Sequence, residues 1–417
     1  MSAGLRRSVA SLHIPNYRRF FVGQIVSITG NWMQNVAEMW LVLQLTHSGT
    51  LVGLTAAAQF LPMLLAGAWG GLLADRVDKR RLLMVTNALM TLPPLALVAL
   101  VETGDVAAWM VIALVFARGM VTAVDNPARQ SFVIEMVGPD RVVSAVSLNS
   151  VIVHASRIAG PAGAAAVIAL GGVAPCFALN ALSFVVMIVA LRGMDRAALH
   201  PAPPVEREEG QLRAALRHVA ATPELRVPLA MMAVVGTLSF NFPTLLPLIA
   251  RFTFDGSASS YAALTAALAA GSIAGALTLG ARRSVDHRFL SRAALVFGLL
   301  TLIAAAAPTY PLMLAALVPV GLASVAYAAG SNSAVQLAAA PELRGRVMAL
   351  YGIVFLGSTP IGAPIVGWVA ETAGPRWGLV IGGLAALLTG LVARAAIAYA
   401  ARNDRPSASR STSPARA

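Results

Sequence analysis

The sequence is short of charged residues, of cysteine and of lysine. Only 12% of its 417 residues are charged, whereas a soluble domain carries about 25%, so the chain cannot give two or three soluble domains a charged surface. Cys176 is the one cysteine, which excludes an intrachain disulfide and a cysteine metal site. Lys79 is the one lysine and lies between Asp78 and Arg80, which excludes the Gly-Lys-Ser/Thr loop that binds ATP phosphates.

Aromatic residues are also scarce, at 6%, and the net charge is +13. The aromatics are not interleaved with basic residues, as they would be in a nucleic-acid site. Apolar segments of about 20 residues recur instead, and a helix of that length crosses the hydrocarbon core of a bilayer. All but four of the 31 Lys and Arg residues lie at one set of segment ends, as the positive-inside rule requires. We therefore predict an integral membrane protein that does not bind nucleic acid.

The apolar pattern predicts an all-α protein with twelve transmembrane helices. The predicted spans cover residues 18–45, 51–74, 82–101, 108–128, 142–169, 173–191, 226–250, 259–281, 289–307, 311–336, 346–370 and 377–399. A barrel would need alternating strands of ~10 residues, which this sequence does not show. The first apolar run is too long for a cleavable signal peptide. An even number of spans with the bases on the inner side places both termini in the cytoplasm.

One long polar interruption, from Arg192 to Arg226, divides the chain. It contains several prolines, an acidic run and an amphipathic segment predicted to be a helix over Gln211–Ala220. We predict an N-terminal six-helix bundle over residues 1–191, a cytosolic linker over 192–225, and a C-terminal bundle with a cytosolic tail over 226–417. Prolines recur in the fifth and eleventh spans at an offset of about 200 residues, which favours two pseudo-symmetric repeats.

The turn between the second and third spans carries a recognisable motif, GLLADRVDKRR at 71–81. It resembles the Gly-x3-Asp-Arg-x-Gly-x-basic-basic loop of the major facilitator superfamily, with Asp78 at the place of the second glycine. The stretches PNYRRFFVGQIVS (15–27), GNWMQNVAEMWLVLQLT (30–46), DNPARQ (125–130) and LRGRVMALYG (343–352) resemble the drug–proton antiporter branch that includes the enterobactin exporter.

The resemblance implies a monomeric secondary active transporter with two six-helix bundles in the bacterial inner membrane. It would export small hydrophobic or amphipathic molecules by proton antiport and alternating access. A dedicated siderophore or metabolite exporter is the nearer alternative, and an uptake symporter a further one. A receptor or a membrane-embedded enzyme is a third alternative, but the sequence lacks HExxH, GxSxG, paired cysteines and a Rossmann fingerprint. We therefore expect no enzymatic activity, no cofactor and no metal site.

The resemblance also implies a gate at the cytoplasmic side. Asp75 would lie at the N-terminus of a helix of the other half, where the helix dipole favours an anion. A base of the turn would pair with an acid at the end of the fourth span, for which Asp125 is the candidate. The predicted gate residues are Gly71, Asp75, Arg76, Lys79, Arg80, Arg81 and Asp125. The alternative is a solvated turn that only obeys the positive-inside rule.

The fifth span contains Gly160, Pro161 and Gly163 in RIAGPAGAA. Small residues allow close helix contact and proline kinks a helix. The segment resembles the Gly-Pro-x-x-Gly-Gly motif of antiporters, which accompanies export in the family. Plain helix packing is the alternative.

The first span is unusually polar. Ser27, Asn31, Gln34 and Glu38 share one helical face, with Asn35 beside it. A carboxylate inside a membrane is a functional candidate by default, so we predict that Glu38 binds the coupling proton. Asp75 is the second proton-coupling candidate. The alternative for Glu38 is a side chain that reaches the outer interface.

Two arginines, Arg118 and Arg157, fall within predicted spans. A buried guanidinium needs a partner, so one is expected to pair with Glu38 and the other to face water or an anionic substrate; the alternative is that both bond backbone carbonyls. The second half has no carboxylate in its predicted spans, so it is expected to supply an apolar cavity wall. The predicted cavity residues are Asn31, Gln34, Asn35, Glu38, Arg118, His154, Arg157, Asn241 and Asn332.

Overall fold

The computed structural model describes residues 10–138, 141–200, 211–280, 287–340 and 343–403, and within these ranges the chain is helical without strands. The helices are α1 (Pro15–Thr46), α2 (Gly49–Arg76), α3 (Lys79–Thr103), α4 (Ala108–Val137), α5 (Val142–Gly171), α6 (Ala174–Arg192), α7 (Gln211–Ala221), α8 (Pro223–Ser239), α9 (Phe242–Leu248), α10 (Ala258–Gly280), α11 (His287–Ala305), α12 (Tyr310–Ala338), α13 (Arg344–Gly357), α14 (Thr359–Thr372) and α15 (Pro375–Asn403). A 3₁₀ turn, Ala10–His13, precedes α1, and a π turn, Ile249–Thr253, follows α9.

Eleven helical segments of the described chain are long and apolar enough to cross a membrane. In this count α8 and α9 form one segment with the π turn, and α13 and α14 form another. The one predicted span that this count leaves out is α1. Its polar face lowers its apolar content, although its 32 residues exceed the length needed to span a membrane. Since α1 packs between α5 and α6 within the first bundle, the predicted twelve-helix fold is confirmed.

Two predicted spans are interrupted. The seventh breaks at Phe240 and Asn241, between α8 and α9, and the eleventh breaks at Ser358, between α13 and α14. Proline lacks the N–H that would continue the helical hydrogen bonds. Pro243 and Pro360 each lie two residues past a break, so neither can donate the hydrogen bond that would continue the preceding helix.

The two bundles meet along two helix pairs, α2 with α14 and α5 with α10. The first contact is made by backbone. A Cβ atom added to Gly49 would collide with the Gly367 carbonyl, and one added to Gly53 would collide with that of Ala363. We call this contact the glycine seam. The pairing Gly49–Gly367 and Gly53–Ala363 shows that α2 and α14 run antiparallel.

The molecule has two distinct ends. The basic end carries the α2–α3 turn, with Arg76, Lys79 and Arg80, and the end of α6. The opposite end carries the α1–α2 turn and the α14–α15 turn. The predicted linker helix is present as α7 and packs against α8 and α13, whereas residues 201–210 and 404–417 lie outside the described chain. The division at residues 191 and 226 stays a prediction.

Candidate functional site

The core of the first bundle contains a buried ion pair. Arg118 Nη2 on α4 lies 2.6 Å from Glu38 Oε2 on α1, and Gln34 Nε2 donates to Glu38 Oε1 at 2.6 Å. The exposed fraction is 0% for Glu38 and 5% for Arg118. Both carboxylate oxygens are therefore satisfied by donors, which a buried charge requires.

The guanidinium of Arg118 also contacts the neighbouring amides of α1. It donates to Asn35 Oδ1 at 2.8 Å and to Asn31 Oδ1 at 3.4 Å, and Gln59 of α2 donates to Asn35 Oδ1 at 3.2 Å. Arg118 Nε has no hydrogen-bond partner among the described residues. Asn31 and Asn35 are half-buried, so the network extends from the buried pair to partly exposed amides.

Asn180 of α6 completes the network and was missed by sequence reasoning. Its Nδ2 donates to Gln34 Oε1, and Ser183 Oγ donates to its Oδ1 at 2.9 Å. A Cβ atom on Gly30 would lie 2.5 Å from Asn180 Oδ1, so the glycine lets α6 approach α1. A single amide within the apolar run CFALNALSF was the available signal.

Arg157, the second arginine within a predicted span, has a different environment. Arg157 Cζ lies 5.3 Å from the centroid of the Trp32 ring, a cation–π distance. No carboxylate among the described residues pairs with Arg157, and its Nε has no hydrogen-bond partner there. Arg118 is thus the partner of Glu38, and Arg157 is not. The side chain of His154 lies outside the described residues.

Gly160 sets the contact between α5 and α1. An added Cβ would collide with Trp32 Cβ and approach the Thr29 carbonyl, and Thr29 Oγ1 donates to Ser156 Oγ at 3.0 Å. Gly163 is less crowded, since its added Cβ would lie 4.0 Å from Met33 Sδ. Pro161 lies inside the unbroken α5. The motif therefore packs helices; its link to antiport stays a prediction.

The second half contains a cluster of aromatic rings. The Phe240 ring, at the break of the seventh span, lies 5.4 Å from Phe297, 5.9 Å from Phe355 and 6.4 Å from Tyr327, between centroids. We call this the aromatic cluster. Sequence reasoning missed it because the four rings come from α11, α12, α13 and the α8–α9 break, and only tertiary packing brings them together.

Each of the two predicted amides of the second half bonds a residue four positions before or after it. Asn241 Nδ2 donates to the Thr237 carbonyl at 2.7 Å, and Asn332 Oδ1 accepts from Gln336 at 2.9 Å. The structure does not join either to the Glu38 network through any described hydrogen bond. Nor do the described residues include a cluster of acids, histidines or cysteines that could hold a metal.

At the basic end, the predicted pairing of the turn with Asp125 is wrong. Lys79 Nζ instead lies 2.6 Å from Glu135 Oε1, and both side chains are buried. Asp125 binds Arg129 of its own helix at 2.8 Å and accepts from Thr86 at 2.6 Å. The error arose from the predicted end of the fourth span at residue 128. Because α4 continues to Val137, Asp125 lies roughly 18 Å before its end at 1.5 Å per residue.

The remaining turn residues cap helices. Asp78 is the N-cap of α3 and accepts from the Arg81 N–H at 2.8 Å. Its φ of −56° needs no glycine, which explains why the motif tolerates Asp78. Arg80 Nε and Nη2 donate to the carbonyls of Leu191 and Arg192 at the end of α6.

Three further gate candidates lie in the last turns of α2. Gly71 and Asp75 are half-buried there, and Arg76 is the exposed last residue of the helix. The gating and proton-coupling roles predicted for Asp75 stay predictions.

Replacing Lys79 with Met is expected to destabilise the protein by about 3 kcal/mol, because Glu135 would remain buried without its partner. Adding Glu135→Met should recover most of that loss in thermal unfolding of the purified protein. Adding Asp125→Asn is the matched control and should recover none. If Asp125→Asn recovered the loss instead, Lys79 would pair with Asp125, as the sequence predicts, and not with Glu135.

Comparisons with known proteins agree with this architecture. The sequence model of the transmembrane secretion effector family matches residues 7–415. The multidrug efflux pump Tap of Mycolicibacterium fortuitum is 29% identical over 387 residues, 87% of this chain and 91% of Tap. The macrolide efflux protein A of Streptococcus pyogenes is 24% identical over 87% of this chain and 92% of its own.

The staphyloferrin A transporter of Staphylococcus aureus is 24% identical over 262 residues, 62% of this chain and 66% of that protein. Among solved structures, the D323A mutant of the nucleoside transporter NupG has a TM-score of 0.73 at 12% identity, over 91% of this chain and 99% of its own. A bacterial homologue of ferroportin in an inward-facing state has a TM-score of 0.71 at 15% identity, over 91% of this chain and 98% of its own. These structures share the fold.

The predicted resemblance to major facilitator efflux transporters is thereby confirmed. Because the family model matches nearly the whole sequence, the chain belongs to the transmembrane secretion effector family of major facilitator transporters.

Proposed function

We propose that this efflux transporter exports small amphipathic molecules across the bacterial inner membrane in exchange for protons. The Glu38–Arg118 pair is the observation that carries the proposal. It places a titratable carboxylate inside a membrane bundle, with two donors on its two oxygens. Intramembrane carboxylates of this kind mark proton pathways in transporters.

Protonation of Glu38 would remove the charge that Arg118 opposes. The guanidinium would keep its contacts with Asn31 and Asn35 but would lose its strongest partner. The position of α4 against α1 would then change, and this change would couple proton binding to rocking of the bundles. Each charge moved across the membrane gains about 2.3 kcal/mol per 100 mV, so proton entry can drive export.

The distribution of basic residues supports an orientation with the basic end and both termini in the cytoplasm. The units 1–191 and 226–417 would then move relative to each other, and the segment 192–225 would join them on the cytoplasmic side. The turn with Asp75 would form the cytoplasmic gate. We propose that the transporter works as a monomer.

Both halves would contribute to substrate binding. The half-buried rings of Phe240 and Phe355 in the aromatic cluster supply apolar surface, and Arg157 supplies a positive charge that no described carboxylate neutralises. This combination suits an amphipathic molecule with an anionic group. Since the staphyloferrin A transporter is among the relatives, a dedicated siderophore exporter is the second candidate.

Export of anionic amphipathic compounds is expected to depend on Arg157. In a strain that lacks its own pumps, Arg157→Gln should raise the accumulation of anionic compounds severalfold and change that of neutral ones little. Arg157→Lys keeps the charge and should behave like the parent protein. The compounds tested are dyes, antibiotics and siderophores. The control variant is Arg217→Gln, which removes an exposed arginine of α7 and should behave like the parent protein. Equal loss for neutral and anionic compounds would remove Arg157 from substrate selection, and no export of any compound would contradict the proposed function.

A further inference from the structure

Glu371 connects the two bundles at the opposite end. It lies in the last turn of α14, and its Oε2 accepts three hydrogen bonds from the start of α2. The donors are Ser48 Oγ at 2.8 Å, the Thr50 N–H at 2.9 Å and Thr50 Oγ1 at 2.7 Å. Ser48 is the N-cap of α2, so the carboxylate also lies at the positive end of the helix dipole.

The contact beside Glu371 is formed by backbone and small residues. Within the glycine seam, Gly49 and Gly53 of α2 lie against Gly367 and Ala363 of α14. Lipid chains are as apolar as such surfaces, so the hydrophobic effect adds little to helix association in a bilayer. The three hydrogen bonds to this carboxylate therefore add to the packing that holds α2 against α14.

A second contact crosses the halves nearby. The rings of Trp40 on α1 and Tyr261 on α10 stack with centroids 6.5 Å apart and planes 18° apart. This contact carries no formal charge and needs no proton to persist. Glu371 thus supplies a charged contact between the bundles at this end.

We propose that Glu371 is the latch residue that holds the opposite end of the transporter closed. Alternating access requires α2 and α14 to separate at this end when the other end closes. Separation breaks all three hydrogen bonds to one oxygen, so the charge on Glu371 favours the closed state. The inference rests on alternating access and gives a role to a residue that the proposed proton–substrate coupling does not use.

The latch is tested by the distance between α2 and α14. Spin labels are attached through Leu54→Cys and Trp368→Cys in a Cys176→Ser background, since both side chains are exposed (41% and 56%) next to the seam. Pulsed electron paramagnetic resonance on the full chain in lipid nanodiscs then gives the distance distribution. Glu371→Gln and Glu371→Ala are expected to increase the ratio of open to closed molecules roughly fivefold.

Two variants make the result decisive. Thr50→Val removes one donor, keeps the backbone N–H and should give a smaller increase in the same direction. Glu102→Gln removes an exposed carboxylate from the last turn of α3 at the same end and should leave the distribution unchanged. If Glu371→Ala does not fold, Glu371→Gln and Thr50→Val still decide. Distributions for these two that superimpose on the parent would overturn the latch. The measurement uses no substrate, so it stands apart from failure of the export assay.

Discussion

Replacing Glu38 with Gln is expected to reduce proton-driven substrate uptake by inverted membrane vesicles to the level of vesicles without the protein. The amide keeps the shape of the side chain and can still contact Gln34 and Arg118. It cannot change charge when a proton arrives, so the step that alters the Arg118 environment is lost. Substrate exchange without a proton gradient should persist, because the rest of the binding site is unchanged.

This prediction separates coupling from folding and binding. The matched control is Glu102→Gln, which removes an exposed carboxylate at the opposite end and should transport like the parent protein. Uptake is measured with an imposed pH gradient, and exchange is measured with labelled substrate at equal pH on both sides. Unchanged proton-driven uptake by Glu38→Gln would exclude Glu38 from coupling.

Replacing Arg118 with Met is expected to destabilise the protein by about 3–5 kcal/mol, because the fully buried Glu38 would lose its counter-ion and would be either an unpaired charge or a carboxyl group that must take up a proton. The double variant Glu38→Gln/Arg118→Met should recover most of this loss, since two neutral side chains would then share the site. Replacing both members of a buried ion pair is often nearly neutral, whereas removing one member alone is strongly destabilising.

The parent protein, the two single variants and the double variant form a double-mutant cycle, and their thermal unfolding is compared in the same detergent. The interaction energy is the difference between the double variant and the sum of the single variants. The Arg157→Met variant is a matched control, because no described carboxylate pairs with Arg157, and it should cost less than Arg118→Met. Additive single effects would mean that the pair seen at 2.6 Å contributes no coupling energy.

Sequence reasoning was most reliable where one helix decides the outcome. The 3.6-residue period placed Asn31, Gln34 and Glu38 on one face of α1. In the structure Asn31 and Glu38 bond Arg118, and Gln34 bonds Glu38. The Gln34–Glu38 contact is a neighbour pair at i and i+4, which spacing alone predicts. The amphipathic linker helix was predicted to within one residue of α7.

Sequence reasoning failed where a contact depends on how far a helix extends or on which helix lies opposite. The sequence predicts Asp125 as the partner because the fourth predicted span ends at residue 128, yet α4 continues to Val137 and brings Glu135 to Lys79. Asn180 is one amide in an apolar helix, and its importance follows only from its contact with Gln34. The role of Glu371 could not be predicted from the sequence, because its hydrogen-bond partners lie more than 300 residues away.

The sequence by itself determined that this chain is a polytopic helical membrane protein of the facilitator type. A bilayer allows backbone hydrogen bonds to be satisfied only within helices or closed barrels, so apolar length and the placement of arginines suffice for that conclusion. The tertiary structure alone decided that Arg118 rather than Arg157 pairs with Glu38, that Lys79 takes Glu135, and that Glu371 contacts α2. These three pairings depend on which helix faces meet. Packing between distant segments, and not local periodicity, determines which faces meet.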